Sequence, residues 1–343
     1  MTNPSTIMVT GATGFIGSHT CVELLDHGYE VIAVDDYSNS SPQVLSRIQG
    51  LTGRFLSAVF EVDVRDRRTL SPVFDRHHVD AVVHFAAKKA VGESVRLPVE
   101  YYDVNVGGTT ALLATMHEHG VRRLVFSSSC SIYGDVDTSP LAEQAPARPS
   151  NPYAASKWTC EQILADVCRC RPDYTVLSLR YFNPVGAHPS GLLGDSPPGE
   201  PDNLMPYLAQ VAAGRRERLR VFGSDYATAD GTGVRDYIHV MDVAEAHRIA
   251  LEHLGDSTGL RVFNLGVGSG TSVFELLAAF GQESGKTIPY EVVDRRPGDV
   301  TELVADPSAV TREWGWRATR DLAAMCRDAW RFQRLNPTGY AAG

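Results

Sequence analysis

Short apolar runs, rich in β-branched residues, alternate with longer stretches of helical periodicity through the first half of the chain. Residues 6–10, 30–35, 54–62, 81–86, 123–128 and 176–182 read as strands. They are nearly continuously apolar, as strands covered on both faces are. Between them, residues 15–27, 97–119 and 152–169 repeat apolar positions at helical spacing. Strands spaced by helices predict βαβ units and a doubly wound parallel sheet, an α/β fold. After residue 182 the pattern changes. Prolines and glycines cluster over 184–206, followed by a helix at 204–213 and short strands. Residues 1–182 are therefore expected to form one domain and 183–343 a smaller α/β substrate-binding domain. Segments near 237–266 regain the earlier periodicity and are expected to return to the first domain. No long linker separates the two, so a tight cleft is expected between them.

Composition narrows the class. The chain is 43% hydrophobic and 21% charged, as ordinary globular proteins are. No apolar run reaches the ~20 residues of a bilayer span, and the polar start lacks the basic head of a signal peptide. A cytoplasmic location without a membrane partner is expected. A net charge of −9 argues against nucleic acid, which needs a basic surface, but a few local arginines can still hold a small anion. The six cysteines form no CxxC, and Cys168 and Cys170 lack partners at a zinc spacing, so no metal is expected.

The first apolar run leads directly into Gly11-Ala12-Thr13-Gly14-Phe15-Ile16-Gly17, which opens a helix. Gly11 permits the tight turn, Gly14 lets a pyrophosphate approach the backbone, and Gly17 lets the helix sit close to the strand. The free N–H groups at the helix start then face phosphate. The next run ends at Asp35, where a carboxylate accepts from ribose hydroxyls and repels a 2′-phosphate. Asp36 follows with no arginine beside it. These features predict a Rossmann-type sheet that binds NAD. Asp63, at the end of the third run, falls over the adenine side.

The catalytic signal is Ser150-Asn151-Pro152-Tyr153-Ala154-Ala155-Ser156-Lys157, a polar cap, a first-turn proline, and then tyrosine and lysine on one helical face. A free tyrosine has a pKa of ~10, so a base working near neutrality needs a shift of ~3 units, or ~4 kcal/mol. One cation at ~5 Å supplies ~3 kcal/mol at an effective dielectric of ~20. Lys157 together with the nicotinamide charge is expected to depress Tyr153 into the range of a general base and acid. The run 123–128 delivers Ser129 to the cleft, with Ser131 as a rival hydroxyl.

With these elements placed, the chain resembles the extended short-chain dehydrogenase/reductase family and, within it, the UDP-glucose 4-epimerase branch. The resemblance rests on residues 11–21, 84–102, 127–134, 180–191, 203–206, 222–242 and 295–299. It implies a reversible 4-epimerisation of UDP-galactose and UDP-glucose through a 4-keto intermediate, with tightly bound NAD. It implies Ser129, Tyr153 and Lys157 as the catalytic triad. It also implies Phe15, Ile16, Asp35, Asn39, Ser40, Asp63, Val64, Phe85, Ala86, Lys89 and Phe182 at the cofactor, beside the glycine loop and Asp36. Asn183, Asn203, Leu204, Phe222, Arg235, Arg296 and Asp299 match positions that hold the UDP-sugar. Three positions depart from the pattern: Asp36 replaces an asparagine found in some members, Val104 replaces a cofactor-facing asparagine, and Leu303 replaces a tyrosine that restricts the sugar. Leu303 is intermediate in bulk, so an enzyme acting also or mainly on UDP-N-acetylglucosamine and UDP-N-acetylgalactosamine is the alternative. A 4,6-dehydratase needs acids near the serine that this stretch lacks, and an idle NAD-sensing module would not need Tyr153 and Lys157 together. The resemblance also implies a homodimer through 97–119 and 152–169.

Overall fold

Seven parallel strands form the centre of the molecule. Six come from the first half: β1 (Thr6–Thr10), β2 (Glu30–Asp35), β3 (Ala58–Glu61), β4 (Ala81–His84), β5 (Arg123–Ser129) and β6 (Thr175–Tyr181). The seventh, Gly259–Leu265, comes from the far half and pairs with β6, Val262 standing opposite Ser178. Across the sheet the order is Gly259–Leu265, β6, β5, β4, β1, β2, β3, so the winding reverses between β1 and β4. A reversal of this kind leaves a crevice at the carboxyl ends of the strands, where ligands bind. The structure, a computed structural model, describes residues 5–136, 139–197, 199–256, 258–296 and 299–340.

Strand alternation sorts the apolar runs into two cores. Ile7 and Val9 of β1 and Val31 and Ala33 of β2 face one core with α1 (Phe15–Asp26) and the helix Val240–His253. Met8, Ile32 and Val34 face the other, with Leu112, Met116 and Leu164. Each such side chain contributes ~1.5–3 kcal/mol by leaving water, which is why both faces of these strands had to be apolar. A third cluster, including Met205, Leu208, Leu276, Phe280 and Met325, belongs to helices Leu204–Ala212, Val273–Ser284 and Leu322–Leu335 on the far side of the crevice.

Two expectations change. The run 54–62 forms a strand only over Ala58–Glu61, with Phe55 and Val59 exposed. β3 is the outermost strand and pairs only with β2, so its apolar content does not report burial on both faces. The stretch 97–119 is not one regular helix. Pro98–Tyr101 and Gly108–Glu118 are α-helical, and Tyr102–Gly107 between them is π-helical. The wider turn points Val104 at the crevice while Asn105 is buried, where its amide spans Lys88 and Ser156.

Gly17 shows how closely α1 is seated. A Cβ there would fall on the carbonyl oxygen of Gly11, and a Cβ at Gly11, whose φ is +68°, would meet the backbone of Ala86. In an ordinary helix, replacing glycine by alanine gains up to ~1 kcal/mol. Gly17→Ala is expected to do the reverse, costing about 1–3 kcal/mol by forced displacement of backbone. Thermal unfolding checks the sign, and a higher Tm for the variant would contradict the close seating.

Candidate active site

A cleft of about 1120 Å³ opens at the carboxyl ends of the strands and extends to the Leu204–Ala212 helix. The glycine loop forms its floor. Gly14 is the N-cap of α1, and among the described residues no side chain caps this helix, so its first N–H groups are left for a ligand. Asp35 stands at the tip of β2, buried, and its carboxylate accepts from Thr13 N at 2.9 Å, Tyr37 N at 2.9 Å and Ser40 Oγ at 2.8 Å. Of the roughly four lone-pair sites of a carboxylate, about one is left for a ribose hydroxyl. Asp35 is thus a brace for the loop as well as a source of negative charge. Asp36 accepts from both the backbone N–H and the hydroxyl of Ser38.

Asp36, Asn39, Ser40, Asp63, Val64, Phe85, Ala86 and Lys89 all line the cleft. Lys89 faces Asp195 at 3.7 Å and lies over the ring of Phe15. The cradle, the helix start and the acidic tip fit a dinucleotide, which Gly11, Gly14, Phe15, Ile16, Gly17 and Asp35 would hold. When bound, NAD supplies a hydride acceptor.

The three expected catalytic side chains meet in the middle of the cleft. Asn151 caps the helix Pro152–Cys170 by accepting from Ala154 N, and this fixes Tyr153 in the first turn. Ser129 ends β5 and caps the following turn, accepting from Ser131 N at 3.2 Å while its hydroxyl donates to Ser131 Oγ at 3.1 Å. Turn former and cleft hydroxyl are therefore one residue, and Ser131 supports it. Ser129 also stands close enough to Tyr153 to favour its phenolate by hydrogen bonding. Lys157 Nζ donates to the carbonyl of Ser127 at 2.8 Å and lies over the ring of Phe126.

In the protein without nucleotide, the electrostatics oppose the charge on both groups. Burial pushes Tyr153 up to about 12, more than the Ser129 hydrogen bond lowers it. Burial likewise drives Lys157 down to about 8, with Cys160 and Glu161 opposing. Each charge is suppressed by the same removal from water.

Beyond this centre the later half of the chain supplies further lining. Asn183, Asn203, Leu204, Phe222, Arg235, Arg296 and Asp299 line the cleft, as does Phe182. Arg296 stacks over Phe222 at 4.4 Å, and Arg235 faces Asp299 at 3.9 Å. The Asn183 Oδ1 is buried and, among the described residues, has no partner, as expected of an atom that waits for a ligand. Leu303 is the exception. It does not line the cleft but packs in a buried cluster with Cys130, Tyr133, Phe182 and Ala305. The short strand Glu302–Leu303 pairs beside Val234–Arg235, and alternation exposes Glu302 while turning Leu303 inward. Sequence reasoning missed Glu161 and Arg180, whose buried pair lies directly behind the triad. The available signal was spacing, since Tyr153, Lys157 and Glu161 recur every four residues on one helical face.

A doubly wound sheet, a glycine-cradled helix start and a Ser/Tyr/Lys centre define a dinucleotide-binding protein of the short-chain dehydrogenase/reductase class. Residues 7–266 match the NAD dependent epimerase/dehydratase family, and the chain belongs to that family. It is 52% identical to the UDP-glucose 4-epimerase of Bacillus subtilis (strain 168), over 97% of this chain and 98% of that one. It is 50% identical to the UDP-glucose 4-epimerase of Mus musculus, over 98% and 99%. Its structure is similar to a UDP-glucose 4-epimerase from Bifidobacterium longum in complex with NAD+ and UDP. The TM-score is 0.94 at 47% identity, covering 98% of this chain and 100% of that one. A Stenotrophomonas maltophila enzyme with bound NAD and formylated UDP-arabinopyranose gives a TM-score of 0.95 at 48% identity, covering 97% and 99%.

The position of the tyrosine predicts a linked titration. Without nucleotide, Tyr153 should ionise only near pH 12. The positive nicotinamide ring favours the phenolate and should move that midpoint down. Between the lowered midpoint and pH 12 the bound form holds fewer protons, so NAD affinity should rise with pH. The phenolate absorbance difference between the protein and Tyr153→Phe, with and without NAD, measures this. Identical midpoints would contradict it.

Proposed function

We propose that this chain interconverts UDP-galactose and UDP-glucose at C4 of the hexose, in the cytoplasm, with tightly bound NAD. The observation that carries the reading is a single cleft lined by Tyr153, Ser129 and Lys157, by the glycine cradle and by Asn183, Arg235 and Arg296. Tyr153 takes the proton from the sugar 4-hydroxyl and later returns it. Ser129 hydrogen-bonds the same oxygen and passes the favourable contact to the phenolate. Lys157 adds positive charge beneath the pair. NAD accepts the C4 hydride and gives it back, so the net reaction needs no external oxidant. Guanidinium forks suit a diphosphate, which gives Arg235 and Arg296 the anionic part of the substrate. The proposed division is 1–182 for NAD and 183–343 for the UDP-sugar, with 237–266 returning to the sheet. Plain hexoses are preferred to N-acetylated ones here because the relatives near 50% identity carry that name.

A homodimer belongs to the same proposal. Val95, Leu97, Val99 and Tyr102 are exposed on consecutive turns, Val99 at 79%. A second copy through 97–119 and 152–169 would cover them. Val99→Glu should then shift the mass seen by light scattering toward one chain, and an unchanged mass would remove this interface.

The activity test is conversion of UDP-galactose to UDP-glucose by purified protein with no added NADH. Tyr153→Phe should lose about 10²–10⁴-fold in turnover, the usual worth of general acid–base catalysis, while still carrying NAD. Conversion that consumes NADH in proportion to product would overturn the closed hydride cycle.

A further inference from the structure

Behind the triad lies a charged network that the reaction as described does not use. Glu161 and Arg180 are both buried and pair at 2.6 Å. Glu161 Oε1 also accepts from Ser128 Oγ at 2.5 Å, Ser178 Oγ at 2.9 Å and Arg180 Nε at 3.0 Å. Glu161 belongs to the helix that carries Tyr153 and Lys157, whereas Ser128 immediately precedes Ser129 on β5. Alternation along β5 sends Ser129 to the cleft and Ser128 to the carboxylate. The second arm of the network leaves from Arg180, whose Nη1 donates to Tyr133 Oη and to the carbonyl of Glu143, both at 2.9 Å. Tyr133 donates to Asn264 Oδ1 at 2.7 Å, and Asn264 Nδ2 donates to the carbonyl of Leu141.

An ion pair buried this deeply is a weak source of stability, because two charges leave water to form it. Its geometry is a better account of its place. Three elements meet on one carboxylate, and two of them carry the groups that must meet on one substrate oxygen. We infer that Glu161, held by Arg180, is a positioning residue that locks the Tyr153/Lys157 helix in register with the strand bearing Ser129. This rests on the proposed epimerase reading for the reaction it serves, but the register itself is a property of the fold.

Two serines separate positioning from structure. Ser128→Ala and Ser178→Ala each remove one hydroxyl donor from the same oxygen and leave the ion pair intact. Only Ser128 lies beside Ser129. Both variants are expected to lose similar thermal stability. In the NAD-loaded protein, Ser128→Ala should move the Tyr153 phenolate midpoint to higher pH by about half a unit, since Ser129 then holds the phenolate less well. Ser178→Ala should leave the midpoint in place. Tyr153→Phe identifies the signal, and no sugar is needed to read it. With UDP-galactose, Ser128→Ala should lower kcat about 5–10-fold at unchanged KM, and Ser178→Ala less than about 2-fold, where ~1.4 kcal/mol corresponds to tenfold. Equal midpoints and equal kcat for the two variants would overturn the inference, as would a kcat loss that follows Tm in both. Failure of the wild-type protein to convert UDP-galactose would instead sink the epimerase reading, and the phenolate midpoints would still decide the positioning role.

Discussion

The site is governed by the removal of Tyr153 and Lys157 from water. Burial drives the tyrosine up to about 12 and the lysine down to about 8, so the protein alone opposes the charge on both groups. Bringing the tyrosine from 12 to near 7 requires about 7 kcal/mol at 1.36 per unit. One cation at ~5 Å yields about 3 kcal/mol at an effective dielectric of ~20, and two yield about 6–7. A lysine charge and a nicotinamide charge at that range would together meet the requirement, whereas either one by itself would not. A base assembled in this way would be active only where the dinucleotide is in place, which would couple proton abstraction to the presence of the hydride acceptor.

That coupling sets strict terms for the backbone. The dinucleotide has to reach the tyrosine from across the sheet, so the loop at its far end must come within contact of the phosphates. Gly17 lies against the Gly11 carbonyl and Gly11 against Ala86, and no side chain fits at either position. Asp35 ties Thr13 of this loop to the turn after β2, accepting from Thr13 N, Tyr37 N and Ser40 Oγ, so its role is as much to keep the cradle shaped as to meet a ribose.

Much of this was legible because it repeats at short range. The glycine spacing, the acidic tip of β2 and the Tyr153–Lys157 interval are local patterns, and the sheet strands show as runs with no polar face. What could not be read depends on neighbours far along the chain. β3 has the composition of a buried strand, but only its position outside β2 reveals that one edge is bare. Leu303 reads as a gate from its match to the family, and only the pairing of Glu302–Leu303 beside Val234–Arg235 turns it into the packing behind Phe182. Glu161 looks like one more helical charge until β5 and β6 bring Ser128, Ser178 and Arg180 onto it. The size of the desolvation cost on Tyr153 was hidden for a related reason. Sequence lists the charges but not the water excluded around them, and here that exclusion decides the sign.

Rigid and open polar groups are also divided by face. Behind the triad, Glu161, Arg180, Tyr133 and Asn264 satisfy one another. In front, among the described residues, Asn183 leaves a buried oxygen free, Arg296 rests on Phe222 and Arg235 faces Asp299. A sugar that is oxidised on one face and reduced on the other has to change its orientation at C4 between the two steps. Strong directional bonds to the sugar ring would oppose that turn, whereas strong bonds to the nucleotide diphosphate would not. The arrangement of a stiff back wall, a charged nucleotide wall and few fixed partners between them meets both requirements at once.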